Sequence, residues 1–176
     1  GVVTSWNRVK DGESIGSAIG IISRDFNAGA PEKSVPALVA LLSRVEKISD
    51  TYWRTQKTKE LSNLIAACSG LWFEAYTVEP TYALGDKIQV RSQVVNRYSN
   101  RVKINGISCQ GNISNLNSKV IPANQLQTFE QTCSADKITQ PYWLQTPHEI
   151  GAYNIPDDTL AGNPENPDLP QVEFEF

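Results

Sequence analysis

The chain has 176 residues, enough to bury one sizeable core or a small helical unit together with a β domain. Its 40% hydrophobic and 20% charged content is that of a globular protein and excludes wholesale disorder. The net charge of -3, with no stretch that concentrates Lys or Arg, argues against nucleic acid and anionic membrane surfaces as partners, and no apolar run approaches the roughly 20 residues of a membrane-spanning helix.

In chain order, residues 1–10 read as extended, with Trp6 as an anchor. Between Glu13 and Phe26, Ile15, Ile19, Ile22 and Phe26 recur at helical spacing, although Gly12, Gly16 and Gly20 weaken such a helix. A second helix is predicted from Ser34, a candidate N-cap, with Pro36 in its first turn. Its apolar stripe is Val35, Leu38, Leu41, Leu42, Val45 and Ile48. Asp50 is the N-cap of a third helix, lined on one side by Trp53, Lys57, Leu61, Leu64, Ile65 and Cys68 and stopped at Gly70. The short Ser49-Asp50 joint makes the last two an αα-hairpin.

After Gly70 the period changes from 3.6 to 2. Residues 71–78 predict a strand. Residues 84–104 predict a hairpin: Ile88, Val90 and Val94 alternate with Lys87, Gln89, Arg91 and Gln93, 96–100 supply the turn, and Val102 and Ile104 resume the alternation. Residues 107–109 extend the second strand past Gly106, 111–118 read as a polar loop, and 126–133 as another strand. From Gln140 onward six prolines preclude long regular elements, so the tail is expected to run over the surface, held by Tyr142, Trp143, Leu144 and Tyr153.

The predicted architecture is therefore α+β. A helical subdomain of about three helices (1–70) packs on an antiparallel Ig-like β-sandwich (71–145), and an extended Pro-rich tail (146–176) leads to a further domain. The absence of Met, and a C-terminal alternation of Val172, Phe174 and Phe176 that stops as though a strand of another domain were cut, both suggest a piece of a longer protein.

The candidate chemistry is sparse. Cys68, Cys109 and Cys133 are widely spaced and form no CxxC. Cys109 and Cys133 can pair if their strands are neighbours in a secreted protein; free, buried thiols are the reading adopted, because unpaired Cys is commonly a buried hydrophobe. His148 is the single histidine and lacks a partner at metal-ligand spacing, so it is read as a loop residue, as Asp157-Asp158 is read as a turn. No metal site, cofactor or catalytic residue is expected. Tyr142, Trp143, Trp72 and Tyr98 are the candidate ligand-binding residues, an aromatic platform for a sugar ring, weighed against ordinary core anchoring.

Three stretches carry a resemblance: SWNRVKDGESIG with ISRDF, then TYWRTQKTKELSNLIAACSGLWFEA, then TQPYWL with the GNPENPDLPQVEFEF tail. Together they resemble the region that follows the catalytic domain in bacterial LmbE-like (PIG-L family) deacetylases, and the likeness covers most of the chain. That family's catalytic domain is an α/β zinc fold that removes an N-acetyl group from N-acetylglucosamine-type substrates. Its signature is His-Pro-Asp-Asp with a further His-x-x-His. Pro147-His148-Glu149 and Pro156-Asp157-Asp158 do not match it, and one histidine cannot supply both parts. The resemblance thus implies a non-catalytic, accessory piece of a periplasmic or secreted deacetylase, with zinc only in the missing catalytic domain and the other domains of the parent as partners. The 85–104 pattern is also similar to Ig-like modules appended to carbohydrate-active enzymes, which keeps a carbohydrate-binding module as the alternative.

Overall fold

A computed structural model describes residues 1, 3–10, 12–98, 102–155, 157–166 and 170–176. The chain divides into two compact units. The first comprises Gly1–Glu74, Val94–Val102 and Val120–Gln127, the second Ala75–Gln93, Lys103–Lys119 and Thr128–Phe176.

The first unit holds the three predicted helices, α1 (Glu13–Asp25), α2 (Val35–Val45) and α3 (Thr51–Cys68). Val9, Ile15, Leu41, Val45 and Ile48 form its core, with Trp6, Ile22, Trp53 and Leu61 packed against them. The glycines that weaken α1 have a packing reason. A Cβ on Gly12 would collide with the Trp6 carbonyl oxygen, and one on Gly16 would lie 3.3 Å from the Trp6 Cβ, so the N-terminal turn can close onto the helix only over bare backbone. Ser34 is not the expected cap. It lies in an α conformation at the end of a 3-10 turn, Pro31–Ser34, which feeds α2 directly and makes no side-chain cap bond. Asp50 does cap α3, its carboxylate accepting the Trp53 amide at 3.1 Å. Gly70 ends that segment at φ +60°, and the Tyr98 ring lies where its Cβ would be.

Among the described residues, six strands form two antiparallel three-stranded sheets: β1 (Leu71–Thr77), β2 (Lys87–Asn96) and β5 (Gln127–Ser134) in the order β1-β2-β5, and β3 (Lys103–Cys109), β4 (Asn112–Val120) and β6 (Val172–Glu175) in the order β4-β3-β6. The predicted hairpin is therefore wrong in its pairing. β2 and β3 keep the expected alternation, with Ile88, Val90, Val94 and Ile104 all buried, but they belong to different sheets. Val102, expected to face the same core, is only half-buried. Alternation reports which face is buried and is the same for a strand that turns back beside its neighbour and one that crosses to another sheet. Asn96, fully buried at the end of β2, marks the departure. Its Oδ1 accepts the Tyr98 amide at 3.1 Å, and its backbone carbonyl accepts the Asn124 amide at 2.7 Å. Ser99 and Asn100 of the expected turn lie outside the described residues.

Two further expectations are corrected. The polar run 111–118 is not a loop: it forms most of β4, reached through Gln110 and Gly111, both at positive φ. β4 is an edge strand exposed along nearly its whole length, so Asn and Ser suffice where no core side chain is required. The C-terminal alternation has a partner within this chain. β6 pairs with β3 in register Gly106↔Glu175, Ile107↔Phe174, Ser108↔Glu173 and Cys109↔Val172.

The second unit's core draws on both sheets. Ile88 and Val90 of β2 meet Cys133 of β5, Cys109 of β3 and Ala135, with Ala75 of β1 and Val172 of β6 against them. Cys109 and Cys133 are not free thiols. They form a disulfide across the two sheets, with Cα atoms 6.0 Å apart. Only Cys68 remains free, and burial raises the pKa of its thiol.

Candidate functional site

The four aromatic candidates separate two and two between the units. Trp72 and Tyr98 belong to the first. Trp72 stands on β1 and is 39% exposed, while Tyr98 is half-buried with its ring against Gly70, whose carbonyl accepts the Arg97 amide at 2.9 Å. Tyr98 thus closes the junction between α3 and β1.

Tyr142 and Trp143 belong to the second unit, in a 3-10 turn, Tyr142–Leu144, that Pro141 starts in an extended conformation. Tyr142 is 6% exposed. Its hydroxyl donates to the Asn163 carbonyl at 3.0 Å and its amide to Asn166 Oδ1 at 2.8 Å, while Asn166 Nδ2 donates to the Gln140 carbonyl at 2.5 Å. A buried phenol with its hydroxyl satisfied is an anchor for the chain that passes over it. Trp143 is half-buried and meets the Tyr142 ring edge-on, centroids 4.9 Å apart and planes at 84°. A sugar stacks on coplanar, open ring faces, and these two rings are perpendicular.

The remaining candidates are engaged locally. His148 is exposed, with its ring 4.9 Å from that of Tyr153 and Nδ1 3.1 Å from the Glu149 carbonyl oxygen. Asp157 accepts the Thr159 hydroxyl at 2.6 Å and the Thr159 amide at 2.9 Å, and these two bonds hold its carboxyl below the usual range. Pro156 lies outside the described residues. Among the described residues no group of three or more His, Cys, Asp and Glu side chains is placed to hold a metal ion.

The outward face of β1-β2-β5 carries an array that sequence reading missed. Gln93 Nε2 donates to the Tyr76 hydroxyl at 3.3 Å, Arg91 pairs with Glu130 at 3.1 Å, and Thr132 Oγ1 donates to Gln89 Oε1 at 3.3 Å. Arg91 donates to the Tyr76 oxygen and to the Glu130 carboxylate, and these bonds raise its pKa, the one to Tyr76 most. Gln89, Arg91 and Gln93 were legible as the polar side of β2, but the partners opposite them depend on which strands flank β2. Comparison with protein-family models, with curated proteins and with solved structures finds no match for this chain.

Proposed function

We propose that this chain is a non-catalytic accessory module of a larger extracytoplasmic protein, acting as a scaffold beside a catalytic domain. The observation that carries this reading is how its large aromatic side chains are used. Trp6 and Trp53 pack on the helical core, Tyr98 closes a junction, and Tyr142 bonds Asn163 and Asn166. These four side chains hold the fold together, while Trp72 and Tyr76 of β1 stay partly open. The Cys109–Cys133 disulfide supports a periplasmic or secreted setting, because such bonds persist in oxidising compartments. Two three-stranded sheets around one cross-linked core support an Ig-like reading of the strand-rich unit. The resemblance in sequence makes a PIG-L-like N-acetylglucosamine-type deacetylase the proposed parent, with any zinc in its own catalytic domain.

The purified chain, incubated with Zn²⁺ and N-acetylglucosamine oligomers, is expected to release no acetate and to retain no stoichiometric zinc after desalting. In a parent carrying His-Pro-Asp-Asp, deleting these residues is expected to lower the yield of folded enzyme more than its turnover per folded molecule. Acetate release by the isolated chain overturns the reading.

A second reading, saccharide binding, has one observation in its favour. Tyr76, Arg91, Gln93 and Glu130 set planar hydrogen-bonding groups around an exposed ring on one sheet face. Tyr76→Ala abolishing retention on an amino-sugar resin, with the melting temperature kept, would establish it.

A further inference from the structure

We infer that the helical unit carries a binding site for a compact, uncharged, apolar small molecule in the cleft between α1, α2 and α3. The cleft, half open to solvent, has a volume of about 450 Å³, inside the roughly 300–1,000 Å³ typical of small-molecule pockets. Leu41 and Val45 of α2 and Leu61 of α3 line it as part of the packed core, which holds those walls in place. Ile19 and Phe26 of α1 and Leu64 of α3 also line it, at 36%, 48% and 46% exposure, so apolar surface stays open to solvent at its edge.

The lining selects the occupant. Its two charged members, Lys57 and Glu60, bond to each other at 2.7 Å, and the Lys57 ammonium also lies 5.7 Å from the Trp53 ring centroid. An anionic head group would compete with a carboxylate already in place and gains little there. Ser23 adds a single hydroxyl, which leaves room for at most one polar group on the ligand. Area argues against a protein partner. The exposed apolar surface lining the cleft is far smaller than the roughly 800 Å² per partner of a standard protein–protein interface. The inference goes beyond the scaffold role, and Trp6, which packs on the helical core, is also a wall of the cleft.

The test is a titration of the intact, disulfide-bonded chain with the uncharged fluorophore N-phenyl-1-naphthylamine. Saturable binding at one site per chain is expected, with quenching of tryptophan emission because Trp6 lines the cleft. Ile19→Glu and Leu64→Glu, at solvent-accessible positions, should each weaken binding at least tenfold with unchanged helical circular dichroism, while Ile113→Glu on β4 should leave it unchanged. Decanol should displace the probe at least tenfold better than decanoate. If either glutamate variant fails to fold, Ser23→Trp, which fills the cleft from a solvent-facing position, takes its place with the same expected loss. Absence of saturable binding, or wild-type binding by the variants, overturns the inference. Equal displacement by acid and alcohol overturns the uncharged assignment. A dimer in sedimentation that the glutamate variants dissociate would make the cleft a protein interface instead.

Discussion

The helical unit builds its core from three helices and leaves a cleft of about 450 Å³ among them, whereas the strand-rich unit closes Ile104, Ile107, Cys109 and Cys133 almost completely and bolts its two sheets together. The difference follows from the reach of the contacts. α2 and α3 meet across a short joint, so their packing is local and needs no cross-link. β3 and β6 are separated by the whole 110–171 segment before they pair, and the disulfide shortens the loops that must close. The locally built unit has surface to spare for a ligand, and the cross-linked one has a core that tolerates little.

The sharpest way to break this comparison is a charge in the tight core. Val90→Asp buries a carboxylate without a partner at the centre of the second unit and should destabilise it by about 4 kcal/mol. Denaturant unfolding followed by near-ultraviolet circular dichroism checks it, and an unchanged midpoint would mean that β2 does not face that core. Removing the bridge by Cys109→Ala with Cys133→Ala should cost about 3 kcal/mol for a span of 24 residues. The loss should fall on the strand signal alone; equal loss of helix at 222 nm would show the two units unfold together. Gly70→Ala puts a Cβ into the Tyr98 ring at positive φ and should cost about 2 kcal/mol. Asp50→Ala removes the α3 cap and should lower helix stability by about 1 kcal/mol, read in the same melt. The smallest effect has the opposite sign. Ser92 is fully buried and its hydroxyl has no hydrogen-bond partner among the described residues, so Ser92→Ala should be neutral or stabilise by about 0.5 kcal/mol in a thermal scan.

The candidate site was legible only in part. Tyr142 and Trp143 stood out by residue type, but a phenol that binds a sugar and one that bonds Asn163 look alike until the chain folds back twenty residues later. Arg91 and its neighbours were visible as a polar face, yet Glu130 and Tyr76 lie opposite them only because β5 and β1 flank β2. The cleft left a trace in the sequence: Ile19, Phe26 and Leu64 fit helical stripes, which predicts burial, and the structure leaves them partly open.

What the sequence determined by itself was local. It located three helices, the Asp50 cap, the stop at Gly70, the switch from period 3.6 to period 2, and the inward face of β2, because each depends on residues within a turn or two of one another. The tertiary structure alone decided that β2 and β3 part into different sheets, that a polar Asn/Ser run becomes edge strand β4, that β6 returns to pair with β3, and that two cysteines 24 residues apart are joined. Each of these matches segments distant along the chain. Alternation and residue type fix which face of a strand is apolar but carry no information on which other strand will lie beside it.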